Sequence, residues 1–202
     1  MAYNKSRPAS NDCQKRKGIP MITSNGKNNP TIHPRAHVFE TADVIGNVRV
    51  GEFSSIWYHA TVRGDKAITI GDYTNVQDNT VIHGESYECH IGNFVTIGHS
   101  ALLHCCQVED NCLIGMGACV LDQSVIGEGS IVAAGALVTK GTIVPPHSLV
   151  MGRPAKVVKQ LDEKTLQKIH LQAVRYKTLW TEEYNLLPGA DGERYDKDRI
   201  FS

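Results

Sequence analysis

No apolar run in this chain approaches the ~20 residues that a membrane-spanning helix needs, so no transmembrane segment is expected. No apolar stretch of the secretory type follows the N-terminus, and no signal peptide is expected. Net charge is missing as well. The 21 basic residues balance 21 acidic ones, which argues against a nucleic-acid partner or an anionic membrane surface. Paired cysteine spacing is also absent. Cys13, Cys89, Cys105, Cys106, Cys112 and Cys119 fit no disulfide framework, and several stand in apolar surroundings as small core residues do. A reducing compartment is therefore expected, the cytoplasm first and an organelle matrix second.

Helical periodicity is lacking over most of the chain, and what replaces it is a period of six. Val38, Val44, Val50, Ile56 and Val62 lie six apart, as do Ile70, Val76 and Ile82, and then Ile91, Ile97 and Leu103. From Val108 the series continues without a break through Ile114, Val120, Ile126, Val132, Val138 and Val144 to Val150. Glycine often follows the aliphatic residue, as at Gly51, Gly71, Gly92, Gly98, Gly115 and Gly127. Six is not a multiple of the 3.6 residues of a helical turn. A six-residue unit supplies one short strand and a corner, and three units make one turn of a triangular prism with the aliphatic residue inward. The glycines suit tight corners. Successive turns then lie ~4.8 Å apart, the spacing of paired strands.

The expected fold class is all-β, a parallel β-helix of hexapeptide repeats over residues 31–155, followed by a C-terminal α-helix. Residues 1–30 are polar, basic and punctuated by Pro8, Gly18, Pro20, Gly26 and Pro30, and are expected to form a disordered or loosely packed tail. Over residues 160–185 the period turns helical. Leu166, Ile169, Ala173, Tyr176 and Trp180 draw one apolar stripe, with Asp162 as N-cap. That stripe must bury along the prism or on a neighbouring subunit. Residues 186–202 form a second polar tail without pattern.

The register places the histidines. Ile82 and Leu103 are three units apart and share a face, so His83 and His104 stack outward, roughly 5 Å apart. Arg63 continues that column below. His99 lies two residues after Ile97, on another face, in a column with Asp78. One chain therefore offers only two histidines to any one metal. Catalytic Zn²⁺ usually takes three protein ligands. If the prisms close into a ring, His83 and His104 of one subunit meet His99 of the next, with Arg63 opposite Asp78 one level below. A cyclic trimer is the simplest closed arrangement.

This constellation resembles the γ-class carbonic anhydrases of the hexapeptide-repeat superfamily. The matching residues are Arg63-Gly64-Asp65, Asn75-Val76-Gln77-Asp78, His83, and Gly98-His99 with His104. The resemblance implies a left-handed β-helix and a homotrimer with metal sites between subunits. It implies His83, His99 and His104 as ligands of Zn²⁺, Fe²⁺ or Co²⁺, and CO₂ and bicarbonate as substrate and product. Gln77 and Asn75 would be catalytic, Gln77 bonding the nucleophile or substrate and Asn75 orienting neighbouring groups. Arg63, Asp65 and Asp78 would form the interface or structural pairs.

Two positions depart from the archetypal enzyme of that family. Lys66 replaces a glutamate next to the Arg-x-Asp. Ser86 replaces the proton-carrying glutamate three residues after the first histidine, in a short loop where Glu85 or Glu88 could substitute. Two alternatives follow. One is a hexapeptide-repeat acyltransferase working on acetyl-CoA or a similar thioester, for which Gly152-Arg153-Pro154-Ala155 is equally suitable. The other is a non-catalytic scaffold subunit that keeps the metal for stability. His33, His37, His59, His90, His147 and His170 are expected to be solvated, Cys105 and Cys106 to be a small packed residue and a corner residue, and Tyr176 and Trp180 to pack the helix.

Overall fold

The computed structural model describes residues 19–196. Residues 1–18 and 197–202, including Cys13 and most of the expected N-terminal tail, lie outside the described residues. The chain winds as a left-handed parallel β-helix. One face stacks Val62, Ile82, Leu103, Val120 and Val138 in parallel register. A second stacks Val38, Ile56, Val76, Ile97, Ile114, Val132 and Val150. The third stacks Val50, Ile70, Ile91, Val108, Ile126 and Val144. All of these side chains point inward and, with Val38 the most exposed at 9%, are buried. Each contributes about 1.5–3 kcal/mol of hydrophobic burial.

A second inward position lies two residues before each aliphatic one. Ala60, Thr80, Ala101, Ala118 and Ala136 occupy it on the first face, and all are buried. Small side chains fill it on this face, and the hydroxyls at such positions satisfy corner carbonyls. Thr74 Oγ1 donates to Gly92 O at 2.7 Å, Thr80 Oγ1 to Gly98 O at 3.1 Å, and Ser54 Oγ to Gly71 O at 2.6 Å.

The glycines after the aliphatic residues serve a different purpose from the one expected. Left-handed backbone falls two residues further on, at Phe53 (φ 56°), Tyr73 (φ 54°) and Phe94 (φ 53°). Gly71 is needed because a Cβ there would sit 2.7 Å from the backbone of Gly92 in the next coil. Absence of a side chain, rather than conformational freedom, lets the coils stack at strand spacing.

The extra residues between Val62 and Ile70 lie in the strand Thr61–Ile70. Its partner advances from Gly46 to Val48 while it advances from Gly64 to Ile68. Asp65, Lys66 and Ala67 therefore bulge out of that ladder, beside the histidine column.

Both ends of the coil differ from expectation. Met21–Thr23 pairs with Asp43–Ile45, so the first coil begins ahead of residue 31, in a segment taken as tail. Its backbone ladder, not a buried side chain, holds it: Met21 and Ile22 are exposed. At the far end Ala155–Gln160 turns back antiparallel onto Ser148–Gly152.

Helix α1, Glu163–Thr178, starts at Asp162, whose carboxylate accepts from Thr165 N at 2.9 Å. It runs on as a π-helical turn, Leu179–Glu183. Ile169, Ala173 and Trp180 of the apolar stripe are buried, with Leu171 and Val174. The helix packs on its own prism, against Asn75–Val76 and Thr96–Ile97. Trp180 joins Phe39, Phe53 and Trp57 in a separate aromatic cluster.

Residues 186–196 are not patternless either. Leu187 and Ala190 pack on that cluster, and Glu193 N donates to Tyr73 Oη at 3.1 Å. His170 bridges the parts, with Nδ1 2.9 Å from Asn111 Oδ1 and Nε2 2.9 Å from Glu193 Oε2. The solvated reading of His170 is therefore corrected. His37 is corrected too, since its ring stacks on Trp180 at 5.6 Å.

Candidate metal centre

The two outward columns form as the register predicts. Arg63 pairs in the ladder with His83, and His83 with His104. The two imidazoles lie edge to face with centroids 5.1 Å apart. On the other face His99 Nδ1 lies 2.9 Å from Asp78 Oδ2. Two groups of possible ligand side chains come together among the described residues: His83–Glu85–His104 and His104–Cys105–Asp122. His99 belongs to neither, so one chain brings only two of the three histidines together.

Each histidine has a carboxylate on one nitrogen. His104 Nδ1 lies 2.5 Å from Asp122 Oδ1, and this contact holds the Asp122 carboxyl below its usual range. An ionised carboxylate only accepts, so Nδ1 carries a proton and Nε2 is the nitrogen that can offer a lone pair to a cation. Asp78 stands toward His99 in the same way. His83 Nε2 is contested. Arg63 Nη2 lies 2.7 Å from it and Asp65 Oδ2 2.9 Å. A guanidinium can only donate and a carboxylate only accept, so the nitrogen serves one at a time. The Asp65 carboxyl is lowered chiefly by its hydrogen bond with His83. Arg63 then pairs with Asp65 through Nη1 at 3.6 Å.

Gln77 and Asn75 sit on the His99 face. Gln77 is buried, and its Nε2 donates to Asn75 Oδ1 at 3.1 Å. Asn75 Nδ2 in turn donates to Thr96 Oγ1 at 2.9 Å. Asn75 thus orients the Gln77 amide, leaving Gln77 one N–H and its carbonyl oxygen. Gln77 and His99 share a mostly apolar cavity of about 380 Å³ with Met116, Gln172 and Tyr176, roofed by α1. Burial raises the Tyr176 hydroxyl above its ordinary value, with Asp78 adding to the shift.

The residues of the short loop separate clearly. Glu88 Oε2 faces His90 Nε2 at 3.1 Å, whereas Glu85 Oε2 lies 4.0 Å from His104 Nε2. Cys105 is a buried corner residue with φ 47°, and Cys106 is packed inside. Sequence reasoning missed Asp122. The ladder pairs Leu103 with Val120, which puts Leu121, not Asp122, directly above His104. Only a diagonal reading, from His104 to the residue beside Cys105 one coil on, would have found it.

Residues 105–140 match the bacterial transferase hexapeptide family (six repeats). The "Probable carbonic anhydrase" of Methanocaldococcus jannaschii is 45% identical over 150 residues, covering 73% of this chain and 94% of that protein. The mitochondrial gamma carbonic anhydrase 1 of Arabidopsis thaliana is 41% identical over 158 residues, covering 74% of this chain and 58% of its own length. Among solved structures, a hexapeptide transferase family protein from Anaplasma phagocytophilum superposes with a TM-score of 0.76. It is 40% identical over 79% of this chain and 95% of its own.

The chain belongs to the γ-carbonic anhydrase-like family. Within this γ-carbonic anhydrase-like fold, Lys66 stands on the bulge at Asp65–Ala67 and Ser86 in the short loop after His83. Both border the histidine column. The donors present, imidazole nitrogens whose partner nitrogens are held by carboxylates, suit a borderline divalent cation. No helix among the described residues is long and apolar enough to cross a membrane.

Proposed function

We propose that this chain is a carbonate dehydratase-type enzyme, a homotrimer hydrating CO₂ at metal sites between its subunits. The observation that carries the reading is the split of the histidines. His83 and His104 stack on one face while His99 and Gln77 stand on another, so a complete site needs a second copy. His83 and His104 of one subunit and His99 of the next would hold Zn²⁺, Fe²⁺ or Co²⁺. When bound, such a cation supplies a Lewis acid that brings the pKa of water towards ~7.

The protein's own groups do the rest. Gln77, fixed by Asn75, offers a hydrogen bond to the incoming CO₂ or to the attacking water. The apolar cavity beside it suits a nonpolar substrate. Overall, water and CO₂ give bicarbonate and one proton, and Glu85, 4.0 Å from His104 and open to solvent, is a carboxylate placed to take that proton. Arg63, Asp65 and Asp78 brace the seam.

The faces beside the columns support assembly with a second copy. Val81 and Leu102, which precede the inward residues next to His83 and His104, are exposed at 40% each, and Met116, one coil above His99, at 59%. Apolar contact between them would close the ring. A reducing compartment is proposed on the five described cysteines, all of them free.

Two observations favour acyl transfer as a second reading: the cavity beside His99 is far larger than CO₂, and the fold is shared with a hexapeptide transferase family protein. The test is ¹⁸O exchange between CO₂ and water on metal-loaded protein. Exchange well above a His99→Ala control is expected. Background exchange at full metal occupancy would sink CO₂ hydration and leave a scaffold role or acyl transfer, which acetyl-CoA binding would then separate.

A further inference from the structure

We infer that a single protomer carries a metal set of its own, His83–Glu85–His104, which captures a divalent cation before His99 of a neighbouring subunit completes the site. The inference rests on the reading of His83 and His104 as ligands and adds Glu85 to them. One nitrogen of each imidazole and one oxygen of Glu85 already lie within 4.8 Å of one another. Ligand atoms at 2.0–2.1 Å around a tetrahedral Zn²⁺ stand about 3.4 Å apart. The donors therefore need to close by at most about 1.4 Å, within reach of side-chain rotation. Two imidazoles and one carboxylate is a donor set that both catalytic zinc and non-haem iron accept.

The surroundings aim these donors. Asp122 holds the Nδ1 side of His104, so the Nε2 lone pair faces Glu85 at 4.0 Å. Gly84 ends the strand Val81–Gly84, paired with Gly64, so Glu85 leaves the sheet at a defined point. The Glu85 N–H donates to Cys105 Sγ at 3.4 Å, tying the root of its loop to the residue after His104. Glu88, the other acid of the loop, is turned away toward His90.

The Glu85 side chain is 61% exposed. A carboxylate in water is released from a ligand position without leaving a buried charge behind. A histidine arriving from a neighbouring subunit can therefore replace it. Loading then precedes assembly. The same exchange frees a carboxylate beside the finished site.

Titration of full-length wild type, H99A, E85Q and the H99A/E85Q double variant with Co²⁺ tests this. The readouts are visible d–d absorption and competition with a chelator, with circular dichroism checking the fold. Wild type and E85Q are expected to bind one Co²⁺ per chain. H99A is expected to retain one Co²⁺ per chain, with a changed spectrum and weaker affinity. The double variant is expected to lose the site. Loss of Co²⁺ in H99A alone would overturn the protomer set while leaving the intersubunit site standing. Retention in the double variant would also overturn it. No Co²⁺ binding by wild type would defeat the intersubunit reading itself.

Discussion

Asp122 accepts the Nδ1 proton of His104 at 2.5 Å, so the tautomer of this histidine is set by a residue one coil further along the prism. The pairing fixes the orientation of the ring and turns Nε2 away from Asp122 before any ligand arrives. Replacing Asp122 by alanine removes both effects without touching a proposed ligand. Metal affinity should fall about 10–100-fold, the usual cost of losing such a partner. The Asp122→Asn variant, whose amide oxygen still accepts a hydrogen bond but carries no charge, should lie between. Chelator competition measures both, and unchanged affinity in Asp122→Ala would remove Asp122 from the site.

Coil stacking makes a sharp contrast between two glycines. Gly71→Ala forces a Cβ to within 2.7 Å of backbone in the next coil, and backbone cannot swing aside. A loss of about 2–3 kcal/mol is expected. Gly135 has φ +67° and nothing within 4 Å of a Cβ, so Gly135→Asn should cost only left-handed backbone strain, about 1 kcal/mol or less for asparagine. Urea denaturation of both variants gives the comparison. Equal losses would mean that conformational freedom, not close approach, explains the glycine pattern.

The N-cap of α1 gives a pH dependence. Hydrogen bonds from Thr165, side chain first and then backbone, hold the Asp162 carboxyl below its ordinary value. A carboxyl lowered in the folded state stabilises fully above its unfolded pKa of ~3.9 and loses that stabilisation as pH falls through the lower folded value. The melting temperature should therefore drop below about pH 4 by more in wild type than in Asp162→Asn, since asparagine caps comparably without titrating. Parallel acid profiles for the two proteins would show that the cap contributes nothing.

In the proposed trimer, ring closure depends on the apolar residues flanking the histidine columns. Leu102→Arg places a charge on that seam while its backbone pairing with Val81 and Cys119 stays intact. Sedimentation should find trimers for wild type and monomers for the variant, with ¹⁸O exchange lost and circular dichroism unchanged. A trimeric Leu102→Arg protein would move the interface to another face.

The prism was legible because its signal is repeated. Each inward aliphatic residue pairs with its equivalent one turn away, so a miscount at one corner does not shift the others. The same register stacked Arg63, His83 and His104, and set His99 beside Asp78. Less was legible where the period breaks. Asp65 stands on a bulge, Glu85 in a loop, and Glu193 in a terminal segment that docks on Tyr73. None of these positions follows from a count of six.

The sequence by itself determined the coil, the faces on which the histidines stand and the residues that line up with them. Those depend on period and register, which are properties of the chain taken one residue after another. Only the tertiary structure decided that Asp122 sets the His104 tautomer, that Glu85 rather than Glu88 faces the column, and that the corner glycines are there for close approach. These depend on diagonal contacts between coils and on the path of loops. Such contacts are distances in space, fixed by how far apart the coils stack and where each side chain has room to turn.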